Sequence, residues 1–157
     1  MVVAPNVAEA VRFTGGWLFD QGMAGWDVTV LRSDQADPRP LRILGARVAS
    51  LEPVLAAPVR GPRPQAVAVH ADLYDADPRV RRIVRGAVDE DLAEVRVWGH
   101  GRTAEQDGGA GSVRHRLSLA ARAFKAQALA AVSIADAAEG AVEVFCGVEL
   151  LRSFDHA

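Results

Sequence analysis

The chain has one cysteine and one lysine among its 157 residues, and each scarcity removes a class of explanation. Cys146, standing alone, can form no internal disulfide and no cysteine metal cluster. With Lys125 the only lysine, every other of the 18 basic residues is an arginine. Beside so much Ala, Gly and Val, that bias reflects the coding habit of a GC-rich genome rather than a function. Net charge of one sign is missing as well. A formal charge of −2 supplies no bulk attraction to nucleic acid or to an anionic membrane. No window reaches the roughly 18 to 20 unbroken apolar residues of a membrane span. The stretch from Met1 to Phe13 lacks a charged leader followed by a sustained apolar run. These absences point to the cytoplasm and away from membranes. Internal repeats are absent too, and neither a G-x-S-x-G elbow nor a P-loop lysine motif occurs.

What is present is an alternation of strand and helix signals. Gln65 to Val88 is the clearest stretch: Ala66 to Ala71 is nearly unbroken apolar, as in a strand buried on both faces. An acidic turn follows. Asp77-Pro78 then pairs a capping side chain with a proline at the first helical position. Val80, Ile83, Val84, Ala87 and Val88 fall on one face of that helix, with Arg79, Arg81, Arg82 and Arg85 opposite. The same Asp-Pro device recurs at Asp37-Pro38. From there Leu41, Leu44, Val48, Leu51 and Leu55 recur at helical spacing, predicting one helix that ends or kinks near Pro53.

Trp26 to Arg32 reads as a β-branched strand, Glu94 to Trp98 as a strand nearer the sheet edge, and Ala141 to Leu150 as a last strand. Asn6 can cap a first helix running to about Gly22. The alternative cut makes Thr14-Gly15-Gly16 a phosphate-binding turn. Gly99 to Gly111 reads as a mobile loop. Ser112 is expected to cap a last long helix through Ala131. Crossover connections between such strands favour a mostly parallel sheet. The expected fold is a single three-layer α/β domain over residues 1–157, with a loose tail after about residue 152. It has about four mostly parallel strands with helices on both faces, in a flavodoxin-like or Rossmann-like arrangement of unspecified strand order.

In open α/β sheets, ligands bind beyond the carboxyl ends of the strands. The loops 33–37, 72–77 and 99–112 should meet there. They bring Asp34, Asp37, Asp72, Tyr74, Asp75, Asp77, His100, Arg102, Glu105 and Asp107 to one acid-rich edge. Turn chemistry explains most of these carboxylates, since Asp residues bond to their own backbone in turns.

Two functional readings follow. The favoured one is a non-catalytic module that binds a protein partner or small ligand in an accessory or regulatory role, because no complete catalytic constellation is visible. The other is a Mg²⁺-dependent phosphate-handling enzyme. In it Asp72 and Asp75 hold the metal, Asp34 and Arg102 hold ligand, and His100 with Asp75 supplies acid or base. His70, in the apolar strand, reads as a core histidine. Trp17, Trp26, Trp98, Leu119 and Leu129 mark a possible second contact surface, for a partner protein or for self-association. Arg114, His115, Arg116, Arg122 and Lys125 give the last helix a basic face, which the acidic net charge argues against placing on nucleic acid.

Overall fold

The computed structural model describes residues 1–57, 63–89, 94–99, 111–133 and 140–147. Its elements, in chain order, are β1 (Val2–Ala4), α1 (Val7–Met23), β2 (Thr29–Arg32), α2 (Arg39–Ile43), β3 (Arg47–Ser50), α3 (Leu51–Ala56) and β4 (Ala66–His70). They continue with α4 (Ala71–Ala76), α5 (Pro78–Asp89), β5 (Glu94–Trp98), β6 (Ser112–Arg116), α6 (Leu119–Ala131) and β7 (Val142–Gly147). The strands form one sheet of seven in the order β3-β2-β1-β4-β5-β7-β6. β1 lies parallel to both β2 and β4, with Val2 opposite Val30 on one side and Ala68 on the other. β3 and β5 extend the parallel run outward. β7 is antiparallel to β5, and β6 is antiparallel to β7.

Strand side chains alternate between the sheet's two faces, and each face carries its own core. One core joins Val2, Ala4, Val30, Ala68, Trp98 and Phe145 to residues of α1, α2 and α6. The other joins Val3, Leu31, Val67, Val69, Val97 and Cys146 to Leu51, Tyr74, Val80 and Val84 of α3, α4 and α5. The α/β class is therefore as expected, but the sheet has seven strands rather than four. Of the three additional ones, β1 is only three residues long, and β3 and β6 lie in stretches whose spacing reads as helix. β5 is interior rather than near an edge.

Two expected helices divide differently. The Leu41–Leu55 stripe is α2, β3 and α3 in succession. Gly45, with φ of 82°, stops the first helix in a conformation that favours glycine. Leu41 and Leu44 enter one core and Leu51 the other, so the helical spacing joined residues from opposite sides of the sheet. Ser112 opens a strand, and α6 starts after Ser118, whose Oγ accepts from Ala121 N–H at 3.0 Å. Arg114 to Arg116 accordingly belong to β6 rather than to a basic helix face.

Gly15 and Gly16 lie inside α1, not in a phosphate turn. A methyl at Gly16 would come within 2.2 Å of Leu117, and one at Gly15 within 3.1 Å of Leu44. The two glycines let α1 settle close against α6 and its preceding turn. At the same place the buried Glu143 carboxylate accepts from Gly16 N–H at 2.9 Å, Trp17 N–H at 2.6 Å and Lys125 Nζ at 2.6 Å. Burial pushes the Glu143 carboxyl above its usual range, while the Lys125 ammonium and the two backbone N–H groups pull it back. The strand alternation around Glu143 is real, yet the acid faces inward while Val142 and Val144 are about 40% exposed.

Candidate functional site

After β1 the chain turns into α1 on one face of the sheet. After β4 it turns into α4 and α5 on the other. The two exits diverge between adjacent parallel strands, leaving the crevice where open α/β sheets place their ligands. Asn6, held in extended backbone, caps α1 by accepting from Glu9 N–H at 2.7 Å. Asp34, from the loop after β2, accepts from Val7 N–H at 3.3 Å. Arg32 Nη1 steadies that loop, donating to the carbonyl oxygens of Asp34 at 2.9 Å and Ala36 at 2.8 Å. Beside these groups lies a cleft of about 280 Å³, lined by polar Asn6, Asp34 and Asp37 and by apolar Val7, Pro40 and Val132 among others. The positive end of α1, where such folds often seat an anion, is thus occupied by the chain's own amide and carboxylate.

One turn into α1, Glu9 meets His70, the last residue of β4. Glu9 Oε2 lies 3.1 Å from His70 Nε2, within ion-pair distance but without the alignment of a full hydrogen bond. The Glu9 side chain is 27% exposed and the histidine 2%, so the carboxylate is the member that faces solvent. His70 Nδ1 accepts from Asp72 N–H at 3.2 Å. An accepting Nδ1 places the proton of the neutral ring on Nε2, the nitrogen that Glu9 approaches. Trp98 sets its ring perpendicular to the imidazole with centroids 4.8 Å apart, and its buried Nε1–H meets no acceptor among the described residues. The result is a carboxylate oriented from behind by an imidazole, an arrangement able to take a proton from a water molecule.

The residues singled out from sequence scatter around this crevice. The premise that their loops share one edge holds, since β2, β4 and β5 run parallel. Asp34 borders the cleft. Asp77 caps α5, accepting from Arg79 N–H at 2.8 Å, while Asp37 accepts from Arg39 N–H at 2.9 Å in the turn before α2, whose N-cap is Pro38 rather than Asp37. Asp72 and Asp75 lie on α4 and are exposed. Among the described residues no group of three His, Cys, Asp or Glu side chains is placed to hold a metal ion. His100, Arg102, Glu105 and Asp107 lie outside the described residues. Sequence reading missed Glu9 because three residues before Pro5 did not register as a strand. The available signal was Val2-Val3-Ala4 running directly into a Pro-Asn helix start. His70 is buried as expected of a core histidine, but its ring is committed to Glu9.

No protein-family model matches the chain, and no curated protein matches it in sequence. Solved structures do match in fold. A triple mutant of a deacetylase of the teicoplanin biosynthetic pathway aligns with TM-score 0.58 at 15% identity, over 85% of this chain and 81% of that one. An antibiotic pseudoaglycone deacetylase aligns with TM-score 0.57 at 16% identity, over 93% of this chain and 95% of that one. A zinc-inhibited teicoplanin deacetylase gives TM-score 0.53 at 15% identity, over 85% and 83%. At these identities the likeness is one of fold. It nonetheless overturns the expectation of a non-catalytic accessory module, because the proteins that share this architecture nearly end to end are enzymes.

Proposed function

We propose that the chain is a hydrolase that removes an acetyl group from its substrate, with Glu9 as the general base. The observation that carries this reading is the Glu9–His70 pair at the β1/β4 crevice. The deacetylase activity of proteins with the same fold supports it. Glu9, as carboxylate, takes a proton from water. The water oxygen bonds to the acetyl carbonyl carbon, the bond from that carbon to the leaving amine or alcohol breaks, and the leaving atom takes up the proton that Glu9 removed from water, which restores the carboxylate. His70, neutral and protonated on Nε2, keeps the carboxylate turned toward the crevice without neutralising it.

The test is acetate release from a panel of acetylated amines, amino sugars, peptides and esters. Wild type should hydrolyse at least one member, and Glu9→Gln should lose about 100-fold or more in kcat, the usual worth of a positioned base. Equal rates for the two proteins, or no hydrolysis of any member, would sink the reading.

A further inference from the structure

We infer that Gly99 is a positioning residue for the Glu9–His70 pair, and that its missing side chain is what lets the imidazole stand against the carboxylate. This rests on the reading of Glu9 as base but has consequences of its own. Gly99 follows β5 directly, with φ of 118°. A β-carbon built there would lie 2.5 Å from His70 Nε2, 2.7 Å from Cδ2 and 2.9 Å from Cε1. Real contacts never come so close, so the bare backbone is the wall against which the Nε2 edge rests.

The ring has little room to yield. Asp72 N–H holds Nδ1 at 3.2 Å, Trp98 stands perpendicular to the ring, and Glu9 Oε2 is 3.1 Å from Nε2. Any side chain at 99 must drive the imidazole off Asp72 N–H, off Glu9, or both. Losing the first contact frees the tautomer; losing the second frees the carboxylate. A displacement near 1 Å in such a constellation costs about 100-fold in rate.

The experiment compares Gly99→Ala with Gly25→Ala. Gly25 also has positive φ, 94°, but nothing lies within 4 Å of an added β-carbon, so it reports backbone strain alone. Long-range ¹H–¹⁵N correlation of the histidine ring should show the Nε2–H tautomer in wild type and in Gly25→Ala. In Gly99→Ala it should show a mixture of tautomers. On whichever panel compound wild type hydrolyses, Gly99→Ala should lower kcat about 100-fold with KM unchanged, and Gly25→Ala should lower neither.

Where Gly99→Ala is poorly folded, the loss of Tm caused by the same change in a His70→Ala background decides the matter. Without the imidazole, that loss should shrink to the loss seen for Gly25→Ala. An unchanged His70 tautomer in Gly99→Ala, or an undiminished Tm loss without the imidazole, overturns the role of Gly99. A wild type that hydrolyses nothing overturns the base assignment and leaves the ring and Tm readings to decide on Gly99.

Discussion

Lys125 and Glu143 show how much can hang on one pair of side chains. Both are buried, and the carboxylate also receives two N–H groups from the middle of α1. Removing the ammonium leaves a buried charge, a change that typically costs about 3–5 kcal/mol. Lys125→Met should therefore lower unfolding free energy by that amount near neutral pH in urea titrations. Lys125→Met with Glu143→Leu should recover most of it. The sign with pH follows from the raised Glu143 carboxyl. The folded state binds that proton more tightly than the unfolded one, so stability falls as pH rises through the raised value. Without Lys125 that fall should steepen, making the Lys125→Met penalty larger near pH 8 than near pH 5.

None of this was readable from composition. Lys125 looked like one more cation on a basic helix face, and Glu143 like one residue of a last strand with no facing assigned. A residue's inward or outward sense depends on which layer covers its strand, and that is a property of the assembled sheet. The aromatic residues divided the same way. Trp17, Trp98 and Leu129 are buried under α1 and its neighbours, while Trp26 and Leu119 stay exposed at 42% and 81%.

At the scale of elements, Asp20 ties the end of α1 to the turn between β6 and α6. Its carboxylate accepts from Ser118 Oγ at 2.6 Å and Ser118 N–H at 3.1 Å, and lies 2.8 Å from His115 Nε2. Burial alone would raise the Asp20 carboxyl, but the Ser118 and His115 hydrogen bonds outweigh it and hold it below the usual range. A depressed carboxyl stabilises the fold above its unfolded value and loses that contribution as pH falls through the folded one. Asp20→Asn should cost about 1–3 kcal/mol at pH 7, and the difference from wild type should shrink as pH falls from 7 toward 3. Denaturant titrations at the two pH values give the answer.

Capping was the part of element structure that sequence disclosed best. Asn6 and Asp77 both cap as their side-chain chemistry requires, because a cap is a local bond between near neighbours. The division of Leu41–Leu55 was hidden for the opposite reason. β3 exists only because β2 offers it a partner, with Val48 beside Val30.

The whole sheet ranks its strands by enclosure. β1 is paired on both sides and its residues are fully buried, whereas β3 and β6 form the two edges. Native-state hydrogen exchange should find the slowest amides in β1 and β4, opening only with global unfolding, and fast exchange in β3 and β6. Similar protection across all seven strands would contradict that ranking. The place of the crevice at the carboxyl ends of parallel strands was legible from strand–helix alternation. Which two loops flank it was not, because the neighbours of β1 are β2 and β4, and sequence order says nothing of that adjacency.

The insertion of β7 between β5 and β6 bears on how the molecule is made. A growing chain emits β6 before β7, the strand that joins it to the sheet, so β6 has no sheet partner until β7 is made. Up to that moment the outer side of β5 stands open as a hydrogen-bonding rim. The five parallel strands can pair once β5 is out, but α1 and α2 stay uncovered until α6 packs on them; the interval before β7 arrives is when a stalled or shortened product would clump.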